Sequence, residues 1–376
     1  MKRILSAFTL FVFLLYCCKS SEGAVLYGLT GRGGTPKATL HVVSQSDASL
    51  TPVMQLNDNG GGQVIAYNPD DGHMYHWTGY PSSNTLLEKI NLETLAVTNI
   101  PLSGFETNEI YSATYDPTIG AFLTTDLSVN FASVTPDGVR TYLGSTDHWV
   151  RGLAFVGETL YGGRNTLIPV DSLFTIDPSN GDLLSTTSVT LEGYTLSSFI
   201  SQATNPDTGE LWALLIVEEL PRKTRVLVTI EPATGVATLV GIMPEDSGFS
   251  SIAFVPDPVI PVEIDVKPGD ELNPLNTGSN GVIPVAIFSS EDFDASTIDP
   301  ISISLEGAEV AVRGKGKLLA HEEDVNGDGL LDLVCQVETE SLAFDLEVGE
   351  VCLTGKTTDG QKIAGCDLVV VVPDLE

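Results

Sequence analysis

Residues 203–241 read ATNPDTGELWALLIVEELPRKTRVLVTIEPATGVATLVG, and they set the pattern for most of the chain. A small residue ends a short apolar strand, and Asn205-Pro206-Asp207-Thr208-Gly209 makes a turn. A strand from Glu210 to Glu218 follows, then a second from Arg225 to Glu231. Pro232-Ala233-Thr234-Gly235 turns the chain again into a last strand, Val236–Gly241. Proline presets φ for a turn and glycine supplies φ > 0, so each P-x-x-G closes one strand and opens the next.

Copies of this unit recur. Ala66 in VIAYNPDDG, Thr114 in SATYDPTIG, Ala154 in GLAFVGE, Ala203 and Ala253 in SIAFVPD hold the same place, 48, 40, 49 and 50 residues apart. Four strands in a period of about 40–50 residues mark a β-propeller. The unit begun at Ala253 stops short, while Ala24–Leu56 supplies three strands (AVLYGLTG, ATLHVVSQ, TPVMQL) without a first strand of their own. Joined, these parts make one blade from both ends of residues 24–257, and with four internal units the expectation is five blades. Such closure leaves no unpaired edge. The LYGLTG start and the repeated turns of I-D-P-x-T-G type resemble secreted bacterial propellers, a resemblance that covers this region and implies architecture more than activity.

The 376 residues allow two domains, each with its own core. Eighteen Lys and Arg against 50 Asp and Glu give a formal charge of −32, which argues against nucleic acid and anionic membrane surfaces as partners. Met1–Gly23 reads as a secretory signal. Lys2 and Arg3 are followed by an apolar run, Ile4–Tyr16, that is too short to span a bilayer, and Ser21-Glu22-Gly23 offers small residues for cleavage. The expected destination is outside the cell or on its surface. The alternatives are the periplasm or a lipoprotein using Cys17 or Cys18. No later apolar run is long enough to cross a membrane.

The loops entering each innermost strand hold Asp58, Glu109, Asp147 and Asp246, which would ring one mouth of a propeller channel. Known propeller hydrolases bind a catalytic Ca²⁺ at such a place, and His148 beside Asp147 offers a base with its orienting group. Against this, Asp, Asn and Ser simply favour turns. His73 and His76 face opposite sides of a strand and are not expected to share a metal. Trp77, Trp149 and Trp212 suit core or rim packing, with a sugar platform as the alternative.

Pro256, Pro258 and Pro261 mark the boundary, with residues 258–262 as an extended linker. Beyond it the blade period is lost. Alternating, β-branched strands (VEIDV, GVIPVAIFS, ISISL, AEVAVRG, LDLVCQV, LAFDLEV, EVCLTGKT, CDLVVVVP) mark a β-sandwich over residues 263–376. The residues IDVKPG, NPLNTGSNGVIPVAIF, FDASTID, HEEDVNGDGLLDLV, LTG and GCDLV resemble a module of secreted bacterial proteins, often found beside propellers. The resemblance implies architecture more than activity.

The loop Asp324-Val-Asn326-Gly-Asp328-Gly329-Leu330-Leu-Asp332 carries the strongest chemical signal. Oxygen side chains fall at positions 1, 3, 5 and 9, a glycine at 6, and Leu330 at 7 offers its carbonyl. Hard Ca²⁺ takes about 6–8 oxygens at such spacing, whereas Mg²⁺ suits it poorly. Cys335 stands at position 12 in place of an EF-hand glutamate, and a strand follows. The loop therefore resembles those of integrin-type propellers and thrombospondin repeats, with Glu322, Glu323 or water completing the shell. Cys352 and Cys366 flank a hairpin and are expected to form a disulfide, leaving Cys335 as a buried thiol. The expected function is a secreted, calcium-stabilised binding or cell-surface scaffold with a protein or carbohydrate ligand. The alternative is an extracellular hydrolase or lyase using a metal in the channel.

Overall fold

The computed structural model describes residues 23–371 except 32, 58–62, 79–85, 105–109, 165–171, 220–221, 246, 271, 276–280 and 340–348. The expected signal segment, 1–22, and the expected strand LAFDLEV, 342–348, lie outside the described residues. The protein is all-β and divides between Pro256 and Asp257 into two compact units.

Among the described residues, unit 23–256 forms five antiparallel sheets. Sheet one runs Phe249–Val255, Val25–Thr30, Thr39–Val43, Leu50–Gln55 in spatial order. Sheet two is Gln63–Asn68, His73–Thr78, Leu87–Ile90, Val97–Ile100, and sheet three is Ile110–Asp116, Ala121–Asp126, Asn130–Val134, Arg140–Ser145. Sheet four is Val150–Val156, Thr159–Arg164, Ser172–Ile176, Leu183–Ser188. Sheet five is Thr195–Thr204, Leu211–Glu219, Arg222–Glu231, Val236–Ile242, with Thr190–Leu191 added in parallel beside the last.

The first strand of each sheet packs against the first strand of the next, and sheet five returns to sheet one, so these edge strands form a closed cycle. Side chains tie the cycle. Ser251 Oγ accepts from Ile65 N at 3.0 Å, and Ser201 Oγ accepts from Ile252 N at 3.0 Å. The cores repeat the cycle, because each lies between consecutive sheets. Trp77 and Tyr75 meet Phe122 between sheets two and three, and Leu26 and Phe249 meet Trp212 and Leu227 between sheets five and one. In sheet one Val25 pairs with Val255 and Tyr27 with Ala253, so strands from both ends of the unit share one sheet.

The turns after the edge strands follow from their residues. Asn68 and Asn205 accept from the backbone of Asp70 and Asp207 at 2.9 Å each, and Gly72 and Gly209 donate back to the carbonyls of those asparagines. The shortened turn at Gly157-Glu158 joins Val156 to Thr159 as a two-residue hairpin.

In unit 257–376, Val259–Pro261, Lys362–Leu368, Glu350–Lys356, Ser304–Leu305 and Ala308–Glu309 form one sheet. Ile264–Val266, Val282–Ile287, Asp332–Glu338 and Ala320–Glu323 form another. Both feed a common core that includes Val266, Val285, Leu305, Cys335, Val351 and Leu353. Cys352 and Cys366 stand directly opposite each other and form a disulfide, with Cα atoms 4.1 Å apart. Cys335 is a buried free thiol whose burial pushes its pKa up to about 12. The segment 258–262, expected as a linker, is instead built into this unit. Val259–Pro261 pairs in parallel with Lys362–Ala364, and Val262 is buried and donates to Ala364 O at 2.8 Å. At a sheet edge a proline costs no ladder bond, so Pro261 did not prevent a strand there.

Candidate ligand-binding site at the centre of the ring

The C-terminal halves of the five edge strands line an open cavity of about 210 Å³. Its wall contains Ala66, Thr114, Ala154, Ala203 and Ala253, the five periodic small residues. Five strands converge here, and larger side chains at these places would fill the space. Ile65, Leu153 and Ile252 add apolar surface, and Tyr67 and Tyr115 stand among the lining residues. Tyr115 donates to Asp70 Oδ2 at 2.6 Å, and burial, then that bond, pushes its hydroxyl up to about 12.

Gln202 is the exception in this wall. It is 3% exposed, yet neither its Nε2 nor its Oε1 has a hydrogen-bond partner. Thr204 Oγ1, also in the lining, is buried without a partner. Native proteins rarely leave such groups unpaired, so a site of this kind calls for a water or a ligand. Gly152 sets the approach of sheet four to Gln202. A Cβ there would lie 2.6 Å from Gln202 N and 2.7 Å from the Ser201 carbonyl carbon.

The N-terminal ends of the same strands differ in character. The Arg151 guanidinium lies over the Tyr111 ring, 4.2 Å from its centroid. Arg225 Nε donates to Phe249 O at 3.0 Å.

Of the acidic residues expected to ring a channel mouth, Asp58, Glu109 and Asp246 lie outside the described residues. Asp147 and His148 line a separate recess of about 220 Å³ with Val129, Trp149 and Arg164. Asp147 adopts φ 55, and His148 stacks on Phe174 at 6.0 Å. Both lie off the axial cavity. Trp149 is 45% exposed at this recess, whereas Trp77 and Trp212 are core residues. His73 and His76 go to different partners: His73 to Asp71, and His76 to buried Glu88 at 2.7 Å.

In the acidic loop of the second unit, Asp324 accepts from Gly327 N and Gly329 N at 2.8 and 3.1 Å. Asn326 accepts from Asp328 N at 3.0 Å, and Asp328 from Leu330 N at 2.7 Å. Asp332 stands apart from this exposed turn. It is fully buried, and its two oxygens accept from Ser289 N and Val325 N at 2.9 Å each. It anchors the loop to the sheet. Among the described residues, no three His, Cys, Asp or Glu side chains gather as a metal site.

Sequence reasoning missed Gln202. Gln202 had a signal. The residues before the five anchors are Ile65, Ala113, Leu153, Gln202 and Ile252, so it is the polar member of an apolar series.

No family model and no curated protein matches the chain. Among the solved structures that are similar to it are the following two. One is a glutaminyl cyclase from Myxococcus xanthus, with 17% identity, a TM-score of 0.33, and 51% of this chain and 83% of that chain covered. The other is a putative 6-phosphogluconolactonase from Bacteroides uniformis, with 14% identity, a TM-score of 0.37, and 71% and 93% covered. Likenesses this weak carry no argument about function. No helix among the described residues is long and apolar enough to cross a membrane.

Proposed function

We propose that the chain is a secreted binding protein, in which a five-bladed β-propeller holds a small ligand at its axis. The five sheets, their closed cycle of edge strands and the sheet completed from both ends support the propeller reading. The two sheets over one core support a β-sandwich for the second domain. The charged, apolar and small segments of Met1–Gly23 support export, and the Cys352–Cys366 disulfide suits an oxidising compartment.

One observation carries the binding reading: the unpartnered amide of Gln202 on the cavity wall. A buried polar group left unpaired costs about 1–3 kcal/mol. A neutral solute with an adjacent donor and acceptor would satisfy both ends of the amide, while its apolar part meets Ile65, Leu153 and Ile252. Neutral sugars and small amides have this chemistry. The test is a thermal-shift screen of the full chain with such solutes, on wild type and Gln202→Leu. The expected result is a ligand that raises the wild-type melting temperature and leaves Gln202→Leu unmoved, while the ligand-free variant melts no lower than wild type. An equal response in both proteins refutes the site.

The loop Asp324–Asp332 is proposed as a Ca²⁺ site of the second domain. Carboxylates, an amide and a carbonyl suit a hard cation. Asp324, Asn326, Asp328 and the Leu330 carbonyl would hold it, with Asp332 fixing the loop from behind. Its role is to stabilise the domain, where it would neutralise carboxylates that otherwise repel.

A further inference from the structure

The recess between sheets three and four gathers unlike groups around one space. Val129 comes from a turn inside sheet three, and Asp147, His148 and Trp149 from the segment that joins the two sheets. Arg164 ends the strand Thr159–Arg164 of sheet four. Asp147 and Arg164 line the same recess, yet among the described residues no ion pair joins them. Arg164 Nε is buried with no hydrogen-bond partner. The backbone is held in a rare form to make this shape. Val129 and Asp147 both have positive φ, 59° and 55°, and for a β-branched residue that is an outlier. Buried Thr146 locks the two turns together. Its N–H donates to Val129 O at 3.0 Å, and its hydroxyl donates to His148 O at 2.7 Å. Backbone strain of this kind persists where the surroundings enforce it, and it clusters at ligand sites.

We propose that this recess binds the ring of a neutral pyranose sugar, with the Trp149 indole as its platform and Asp147 and Arg164 as its hydroxyl partners. An exposed indole offers a broad apolar face to the C–H groups of a sugar ring. A carboxylate only accepts and a guanidinium only donates. Neighbouring hydroxyls set between Asp147 and Arg164 would satisfy both, through charge-assisted hydrogen bonds. One charge of each sign gives the recess no preference for an ionic ligand, and the chain's charge of −32 disfavours anionic sugars. At about 220 Å³ the recess lies below the roughly 300–1,000 Å³ of drug-sized pockets, so it suits a single ring. The site does not depend on Gln202, which lines a different cavity.

The experiment follows Trp149 directly. Acrylamide quenching of the full chain reads mainly this residue, because it is 45% exposed while Trp77 and Trp212 are 1% and 5% exposed. The methyl glycosides of glucose, galactose, mannose and N-acetylglucosamine are titrated to high millimolar concentration. The expected result is saturable protection from quenching by at least one glycoside, equal in wild type and Gln202→Leu. Asp147→Asn removes the charge but keeps a residue that tolerates positive φ. It and Arg164→Gln should each bind that glycoside about tenfold more weakly. Trp149→Ala should give no heat with it in calorimetric titration. No protection with any of the four glycosides overturns the site. Protection that disappears in Gln202→Leu places the sugar in the axial cavity and also overturns it. Equal affinity in wild type, Asp147→Asn and Arg164→Gln does the same. If Arg164→Gln fails to fold, Asp147→Asn decides the question alone.

Discussion

In unit 23–256 the strand Val25–Thr30 is hydrogen-bonded to Phe249–Val255, from the far end of that unit. In unit 257–376 the strands Glu350–Lys356 and Lys362–Leu368 are sequence neighbours clasped by a disulfide. The first arrangement closes a cycle of sheets by main-chain pairing and burial alone. The second secures one core with a covalent link beside it. Closing a long loop costs conformational entropy that only the complete set of contacts offsets. The ring should therefore behave as all or none, whereas the second unit can be loosened at its clasp.

The largest expected effect comes from breaking the ring. Deleting residues 24–34 removes Val25–Thr30, leaves two strands of sheet one without their partner, and takes Leu26 and Leu29 out of two cores. The shortened protein should lose cooperative unfolding of the ring and aggregate. A monomer with the wild-type melting profile would show that closure does not depend on this strand.

A subtler break is Gly152→Ala set against Gly193→Ala. Both glycines have positive φ, 72° and 81°, but only at Gly152 does an added Cβ meet backbone of the next sheet. Gly193→Ala should cost only the local strain, about 1–2 kcal/mol, and Gly152→Ala about 3 kcal/mol or more. Denaturant titrations of both variants give the difference. Equal losses would mean that the contact between sheets four and five is soft.

Next is the clasp. Replacing Cys352 and Cys366 together by serine should cost about 3 kcal/mol in the chain-entropy picture and lower only the transition of the second unit. Calorimetry that shows the ring transition moving with it would contradict the separation drawn above.

The smallest effect is calcium. At free calcium ten times the dissociation constant, the linkage is RT ln 11, about 1.4 kcal/mol. Asp328→Ala should abolish it, and magnesium should give much less. Equal melting in calcium and chelator, with no calcium found by metal analysis, would leave a solvated acidic turn.

Much of the ring could be read from the chain because its centre imposes a repeating demand. Ala66, Thr114, Ala154, Ala203 and Ala253 are small at regular spacing, and all five line one cavity. The disulfide was legible too, since a short hairpin leaves Cys352 and Cys366 few ways to stand except opposite each other. What escaped depends on contacts between distant segments. Arg151 lies on Tyr111 of sheet three and Arg225 donates to Phe249 of sheet one, and neither sits in a motif. Asp332 has the spacing of a ligand, but the backbone of Ser289 and Val325 claims its oxygens, and Ser289 is far away in sequence. Pro258 and Pro261 suggested free chain, yet an edge position let the segment pair.

Hydrogen exchange of the full chain, with and without reductant, tests the contrast most directly. The account predicts that Val25–Thr30 and Phe249–Val255 keep the same slow exchange as the other edge strands in both conditions, while Glu350–Lys356 and Lys362–Leu368 lose protection on reduction. Fast exchange at Val25–Thr30 in the oxidised protein, with the other sheets still protected, would contradict a ring closed from both ends.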